Sequence, residues 1–464
     1  MMILGEQGHL RPYDVRFDPA DAAYLSAYPD GALRLRLLTE AGFTEAAVNE
    51  ADGHLVPMHR VARSTRFDVW EVRYVPRRRR FRYTFALRDA DRRAVYLVPA
   101  GIGNAVERLD RWEIDLDDTA PLDVPEWARG AVIYQIFPER FADGDPSLSP
   151  DEAMPWGSAP HWLEFQGGDL VGIADKADHL AGLGVGMVYL NPIFRSPSTH
   201  RYDVIDYYEV DPALGGNDAL RRLVGALHER DIKVIVDASF NHCHPQFFAF
   251  ADVMEKGPAS EYAAWFVVTD HPPRVGYRPD QVRARFDQAD AYDRYIARFR
   301  DEAKMNVEVL EGEGPPVELT YEAWYGVPSL PRIDLTNPGA RDYFLEVARH
   351  WVREYDVDGW RMDVARYVDF AFWPRFRQAV KEVRPDAYLI AEIMGDAMPW
   401  LQGDTFDATM NYTFRQLVLD FVADPVGGGV DFADGFVSMW GRYAPEVLEA
   451  SQNLLGSHDK ARFL

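Results

Sequence analysis

Residues 359–393 read GWRMDVARYVDFAFWPRFRQAVKEVRPDAYLIAEI, and this stretch decides the fold. Two short apolar runs, GWRMDV and YLIAEI, stand one strand-helix repeat apart. Each carries an acid near its C-terminal end, Asp363 and Glu392, 29 residues apart. Short, nearly continuous apolar runs are what a parallel sheet covered on both faces requires. The same grammar extends outward: AVIYQIF (131–137), VGMVYL (185–190) and IKVIVDAS (232–239) lie upstream, DATMNY (407–412) and NLLGSH (453–458) downstream. Between them Asn337 and Pro338 open a helix on which Phe344, Val347, Ala348, Trp351 and Val352 recur at helical spacing. Repeated strand-helix units fit a doubly wound sheet or a (β/α)8 barrel, and both gather functional residues at the C-terminal ends of their strands.

Before this region the grammar is different. ALRLRLL (32–38), FDVWEVRYV (67–75), RFRYTFAL (80–87) and AVYLV (94–98) are strand-like runs separated by Gly, Asp and Pro turns, the pattern of a β-sandwich over residues 1–120. The Asp- and Pro-rich segment 115–127 reads as a linker into a catalytic α/β unit over 121–464. Residues 243–330 show little alternation and are too long for a loop, so they read as a small inserted domain after the third strand.

The composition excludes several functions. Of 464 residues, 74 are Asp or Glu and 50 are Lys or Arg, a net charge of -24 that repels polyphosphates and anionic lipid. No nucleic-acid partner is expected. The run Arg77 to Arg80 lies in a period-two stretch with Phe81, Tyr83 and Phe85, so it reads as a solvated strand face or turn. Cys243 is the only cysteine, no basic-then-apolar leader opens the chain, and no apolar run is long enough to span a bilayer. A soluble cytoplasmic protein with no membrane partner is the expectation.

Nucleotide motifs fail: GLGVG (182–186) precedes its strand, GIGNAV lacks the third glycine, and there is no GxxxxGK[ST]. There is no GxSxG elbow, and His242 with His244 lack the partners of a zinc site. What survives is a set of carboxylates at strand ends. Asp363 and Glu392 would face one barrel mouth, and two carboxyl groups about 5 Å apart are what a retaining glycosidase needs, one as nucleophile and one as acid. Asp459, on a further strand, adds negative charge where an oxocarbenium-like transition state becomes positive. For any single acid, a helix cap or an arginine partner is the plainer reading; three at strand ends, beside histidines and an arginine, shift the balance.

At this point the motifs themselves are telling. DASFNH (237–242), GWRMDV (359–364), AEIMGDAMPWL (391–401) and NLLGSHD (453–459), with VYLNPIF (188–194), HRYDVIDYYEVDP (200–212) and LPRIDL (330–335), resemble the motifs of the alpha-amylase family of glycoside hydrolases, in order and at suitable spacing. Within that family the chain resembles the neopullulanase, cyclomaltodextrinase and maltogenic amylase group. The N-terminal segment is similar in layout to that group's carbohydrate-binding-like domain. The resemblance implies a (β/α)8 barrel acting on α-glucan oligosaccharides by double displacement, with no organic cofactor. It implies Asp363 as nucleophile, Glu392 as general acid and base, and Asp459 as transition-state stabiliser. It further implies Arg361 as the group that holds Asp363 ionised, His242 and His458 as donors to sugar hydroxyls, and Tyr202 as the ring on which the sugar stacks. A homodimer through the N-terminal domain is implied as well.

Departures from the group's pattern leave points open. After the nucleophile the group usually has Val-Ala-Asn-Glu, whereas here the run is Val364, Ala365, Arg366, Tyr367. Met394 and Gly395 also differ, so bond preference and the balance of hydrolysis with transfer are open. A calcium ion that some members hold would use Asp143, Asp145 and Asp169, but Leu148 and Ser149 replace oxygen-rich residues, so a structural turn is expected ahead of a filled site. The chain ends at Leu464, immediately after the seventh-strand motif. The resemblance therefore leaves three expectations: a fragment of a longer product, a missing part supplied by another chain, or an inactive protein. A non-catalytic glucan-binding protein and a glucanotransferase are the competing functions.

Overall fold

The structure is a computed structural model describing residues 2–4, 10–12, 15–28, 30–103, 110–119, 122–161, 163–285, 289–423 and 428–461. The chain forms two compact units, Met1–Gly130 together with Ile393–Leu464, and Ala131–Glu392. Residues 393–464, which the sequence reading places with the barrel, thus group with the N-terminal strands.

The N-terminal strands are β1 (Leu25–Ala27), β2 (Leu33–Glu40), β3 (Phe43–Glu50), β4 (Leu55–Pro57), β5 (His59–Arg63), β6 (Phe67–Tyr74), β7 (Arg80–Asp89), β8 (Ala94–Val98), β9 (Gly101–Gly103) and β10 (Trp112–Asp115). They build two antiparallel sheets, β1-β2-β6-β5 and β9-β8-β7-β3-β4, with β10 also on β7. Alternation explains the sandwich: Phe81, Tyr83, Phe85 and Leu87 of β7 point inward with Leu33, Leu35 and Leu37 of β2, while Arg80 and Arg82 face solvent. The arginine run is therefore an exposed bend, Arg77 to Arg79, leading into β7 at Arg80, where Arg80 pairs with Asp115 and Arg79 with Asp115 and Asp117. The pairing strand β3, FTEAAVNE, was not among the expected strands, because its acids and small residues dilute the apolar signal.

In the second unit five parallel strands lie side by side in sequence order: β11 (Ile133–Ile136), β12 (Met187–Leu190), β13 (Lys233–Ala238), β14 (Gly359–Met362) and β15 (Tyr388–Ala391). All five answer to runs expected as strands. Helices α1 (Gly216–His228), α2 (Pro338–Tyr355) and α3 (Phe372–Val383) cover the outside. Asn337 caps α2 by accepting from the Gly339 and Ala340 amides, and the expected face, Phe344, Val347, Ala348, Trp351 and Val352, is buried. On β14 the alternation divides the roles: Trp360 points outward and donates from Nε1 to the Ala348 carbonyl of α2 (3.2 Å), while Arg361 points to the other face. Within 243–330 lie a helix, Ala289–Ala303, and a three-stranded sheet of Arg274–Tyr277, Asn306–Val309 and Val317–Leu319, with Tyr277, Val282 and Ile296 buried together.

The C-terminal segment returns to the first unit as α4 (Tyr412–Ala423), α5 (Gly428–Trp440) and α6 (Pro445–Ala450). Arg36, buried on β2, donates to the carbonyls of Tyr443 (2.6 Å) and Trp440 (2.9 Å), and Val437 of α5 packs with Leu38, Phe67 and Val69. Arg34 pairs with Glu446. DATMNY contributes only the two-residue strand Ala408–Thr409. NLLGSH, expected as a strand, forms none; its neighbourhood has a single parallel bridge, Met410 to Gln452. The Asn453 side chain accepts from the Asn411 amide (2.9 Å), and the chain turns at His458 and Asp459, where the Ser457 hydroxyl accepts from the Asp459 amide (3.2 Å). Among the described residues no helix is long and apolar enough to cross a membrane.

Candidate active site

Parallel register places the central residues. Asp237 of β13 is directly opposite Arg361 of β14, and the amides of Asp363 and Glu392 continue the ladder onto the carbonyls of Ala238 and Met362 (both 3.0 Å). Three acids from neighbouring strand ends therefore converge on one guanidinium. Arg361 Nη1 donates to Asp237 Oδ1 (3.1 Å) and Asp363 Oδ1 (2.8 Å), and its Nη2 lies 3.2 Å from Glu392 Oε2. The Val364 amide donates to the same Glu392 oxygen (2.8 Å). That amide is aimed by an unusual backbone: Val364 lies in the left-handed region, at φ 42° and ψ 41°, a conformation unfavourable for a β-branched residue.

Asp237 is the anchor of the cluster. Its Oδ2 accepts from the hydroxyls of Tyr189 and Tyr202 (2.7 Å each), and the Asn191 amide, itself accepting from Gln135, donates to Tyr202 (3.1 Å). Tyr202 is thus fixed by its hydroxyl, with its ring against His200. Burial pushes Asp237 up to about 6 against the pull of Arg361 and the two tyrosines. Burial also raises Asp363 well above the ordinary carboxylate range; Arg361 pulls it back, while Glu392 and Asp237 add to the rise. One positive charge, that of Arg361, thus faces three carboxylates.

His242 completes this group. It is buried, and burial lowers its imidazole to about 3, so it is neutral. The Asn241 side-chain amide, 3.2 Å away, donates to Nδ1, which puts the ring hydrogen on Nε2. Nε2 is buried and has no protein acceptor, so this N–H is available to a hydroxylated ligand. Trp324 leans over the His242 ring at 5.6 Å, and its Nε1 is likewise buried without an acceptor.

His458 and Asp459 belong to the other unit, where His458 Nε2 lies 3.3 Å from Asp459 Oδ1. Their loop is tied to α4 by Arg415, which donates to the Leu455 carbonyl (3.1 Å), and by the pairing of Tyr412 and Ser457 hydroxyls (3.2 Å).

Asp145 and Asp169 are bound into a turn, while Asp143 Oδ1 is buried without a hydrogen-bond partner. Asp169 accepts from the amides of Gly144 (3.1 Å), Asp145 (2.9 Å) and Gly172 (2.6 Å), and Asp145 accepts from the Ser147 amide and hydroxyl. The turn is also tightly closed, because a Cβ on Gly144 would collide with the Gly172 backbone. Among the described residues no three His, Cys, Asp or Glu side chains are grouped so as to hold a metal.

Sequence reasoning missed Tyr189 and the role of Asp237. Tyr189 looked like one more residue of a buried strand, and Asp237 was one polar strand end among several. Only the parallel register, which sets Asp237 across from Arg361, could have singled it out. Val364 and Trp324 gave no signal.

A strand-end cluster of this kind on a parallel sheet, in a chain that also carries an N-terminal β-sandwich, defines an α/β protein of the amylase class. The chain belongs to the alpha-amylase family: residues 135–464 match the alpha amylase catalytic domain and residues 21–114 its N-terminal ig-like domain. It is 39% identical over 422 residues to a cyclomaltodextrinase of Geobacillus thermopakistaniensis, covering 88% of this chain and 63% of that one. Neopullulanase 2 of Thermoactinomyces vulgaris is 36% identical over 464 residues, covering 97% of this chain and 72% of its own. A solved cyclomaltodextrinase structure superposes with a TM-score of 0.80 at 33% identity, over 97% of this chain and 72% of that one. The chain thus spans less than two thirds of the first of these relatives.

Proposed function

We propose that the chain is a retaining glycoside hydrolase that cleaves α-glucosidic bonds of maltooligosaccharides, cyclodextrins or pullulan. The observation that carries this reading is Arg361 holding Asp237, Asp363 and Glu392 together at the ends of adjacent parallel strands. Asp363 attacks the anomeric carbon while Glu392 gives its proton to the departing oxygen, so the C–O bond to the leaving sugar breaks as an ester to Asp363 forms. Glu392 then takes a proton from water, whose oxygen displaces Asp363 and restores the original anomeric configuration. His242 donates from Nε2 to a sugar hydroxyl, Tyr202 offers its ring to the sugar's C–H face, and Arg361 offsets the negative charge that returns to Asp363. Asp459 and His458 take the stabilising and hydroxyl-binding roles that the family resemblance gives their motif.

The same reading assigns residues 1–120 to a carbohydrate-binding-like sandwich and residues 121–464 to a (β/α)8 catalytic domain with 243–330 inserted. It places the protein in the cytoplasm, as a homodimer through the N-terminal domain. Incubation with β-cyclodextrin and with pullulan, followed by chromatography of the products, tests it. Release of short maltooligosaccharides or panose is expected. Glucan binding with no new reducing ends would contradict the assignment.

A further inference from the structure

The reading above accounts for the sugar being attacked and leaves the other side of the bond undescribed. There the structure has a feature with no evident packing purpose. Tyr325 lies in the turn Trp324–Gly326 at φ 48° and is 74% exposed, and Tyr367, 46% exposed, ends the turn Ala365–Tyr367 that follows Asp363. Their hydroxyls are 2.7 Å apart and their rings meet at 5.8 Å and 69°. The pair bridges two loops from different parts of the chain. Trp324 stands edge-on to Tyr325 at 4.7 Å and leans over His242, so rings run without a break from the buried histidine to the solvent.

A tyrosine held both in the left-handed region and largely in water is unfavourable on both counts for stability alone. A sugar ring would use what is displayed. Its C–H face stacks on an aromatic ring, and its hydroxyls can accept from Trp324 Nε1, the buried donor that has no acceptor. The side is set by the backbone: the Tyr367 amide donates to the Val364 carbonyl (2.8 Å), and the Val364 amide holds Glu392, the group that meets the leaving oxygen.

Resting on the proposed hydrolysis, we propose that the hydrogen-bonded pair Tyr325–Tyr367 is a strap that stacks on the first sugar of the leaving group, with Trp324 Nε1 donating to one of its hydroxyls. The pair then sets how strongly the enzyme prefers a glucan leaving group over a small one.

α-Maltosyl fluoride, whose leaving group is a single atom, separates this inference from the reading it rests on. The measured quantity is the kcat/KM for maltotetraose divided by that for α-maltosyl fluoride. Tyr367→Ala is expected to lower this ratio about tenfold, the order of one lost aromatic face, and Tyr367→Phe, which keeps the ring but breaks the hydroxyl bridge, severalfold. An unchanged ratio in both variants overturns the strap while leaving hydrolysis intact. If the wild-type chain turns over neither substrate, the catalytic reading fails, and calorimetric titration with maltotetraose still decides the strap. An affinity lowered about tenfold in Tyr367→Ala supports it, and equal affinities overturn it.

Discussion

Arg361 addresses three carboxylates through the two terminal amino groups of one planar guanidinium, a geometry that an ammonium cannot reproduce. Arg361→Lys is therefore expected to lower kcat by about a hundredfold or more while changing KM far less, because the groups it orients act in the transition state. Steady-state kinetics on β-cyclodextrin check this, and near-normal kcat would show that the fork has no role in catalysis. The two buried histidines lead to a stability prediction with a defined sign. His242 and His244 are lowered by burial to about 3 and about 4, whereas an unfolded imidazole titrates near about 6.5. Between about pH 6.5 and 4 unfolding takes up a proton at each, so stability falls as the pH drops through that window. Asp237, raised to about 6, acts in the opposite sense: the proton it keeps when folded favours the fold below about pH 4, and this contribution is lost as the pH rises through about 6. His244→Gln is expected to lose less melting temperature than the wild type between pH 6.5 and 4.5. Parallel curves would mean that His244 is already charged in the folded protein.

At the scale of the element, the strands that carry the acids depend on backbone contact. A Cβ on Gly359 would overlap the carbonyl of Tyr388 across β14 and β15, so Gly359→Ala is expected to separate the strands bearing Asp363 and Glu392. The expected loss is about 3 kcal/mol or more in denaturant unfolding, with activity gone. Val364 offers the converse experiment. Val364→Gly relieves a left-handed backbone yet keeps the amide that holds Glu392, so stability should rise by about 1 kcal/mol with activity retained. Val364→Pro removes that amide and should abolish turnover. These elements also show what could be read beforehand. The five parallel strands and the buried face of α2 were legible because each is a short apolar run or a helical period. NLLGSH was not, because the Asn453 side chain bonds to distant Asn411 and Ser457 uses its hydroxyl to make a turn, and neither differs in one dimension from a strand end. The convergence on Asp237 was hidden for another reason: register is a relation between strands and leaves no mark on either alone.

For the whole molecule, the first unit joins the two ends of the chain. Buried Arg36 of β2 is one polar tie, donating to two carbonyls at the end of α5 and just beyond it. Arg36→Met would leave those carbonyls without their donor, an expected loss of about 2–4 kcal/mol, seen as faster hydrogen exchange in α5 and α6 with β11 to β15 unaffected. Uniform acceleration across both units would contradict this division. The motif-level resemblance correctly identified the family, and the sandwich was visible as alternation. The turn at Asp145 and Asp169 rests on atoms that spacing does not reveal, namely the backbone amides directed at Asp169. The central claim is that Asp363 becomes covalently bound to sugar. Incubation with 5-fluoro-α-D-glucosyl fluoride followed by peptide mass mapping tests it most directly: the account predicts one fluoroglucosyl group on the peptide containing Asp363, lost in Asp363→Asn. A label on another carboxylate, or turnover with inverted products and no adduct, would contradict it.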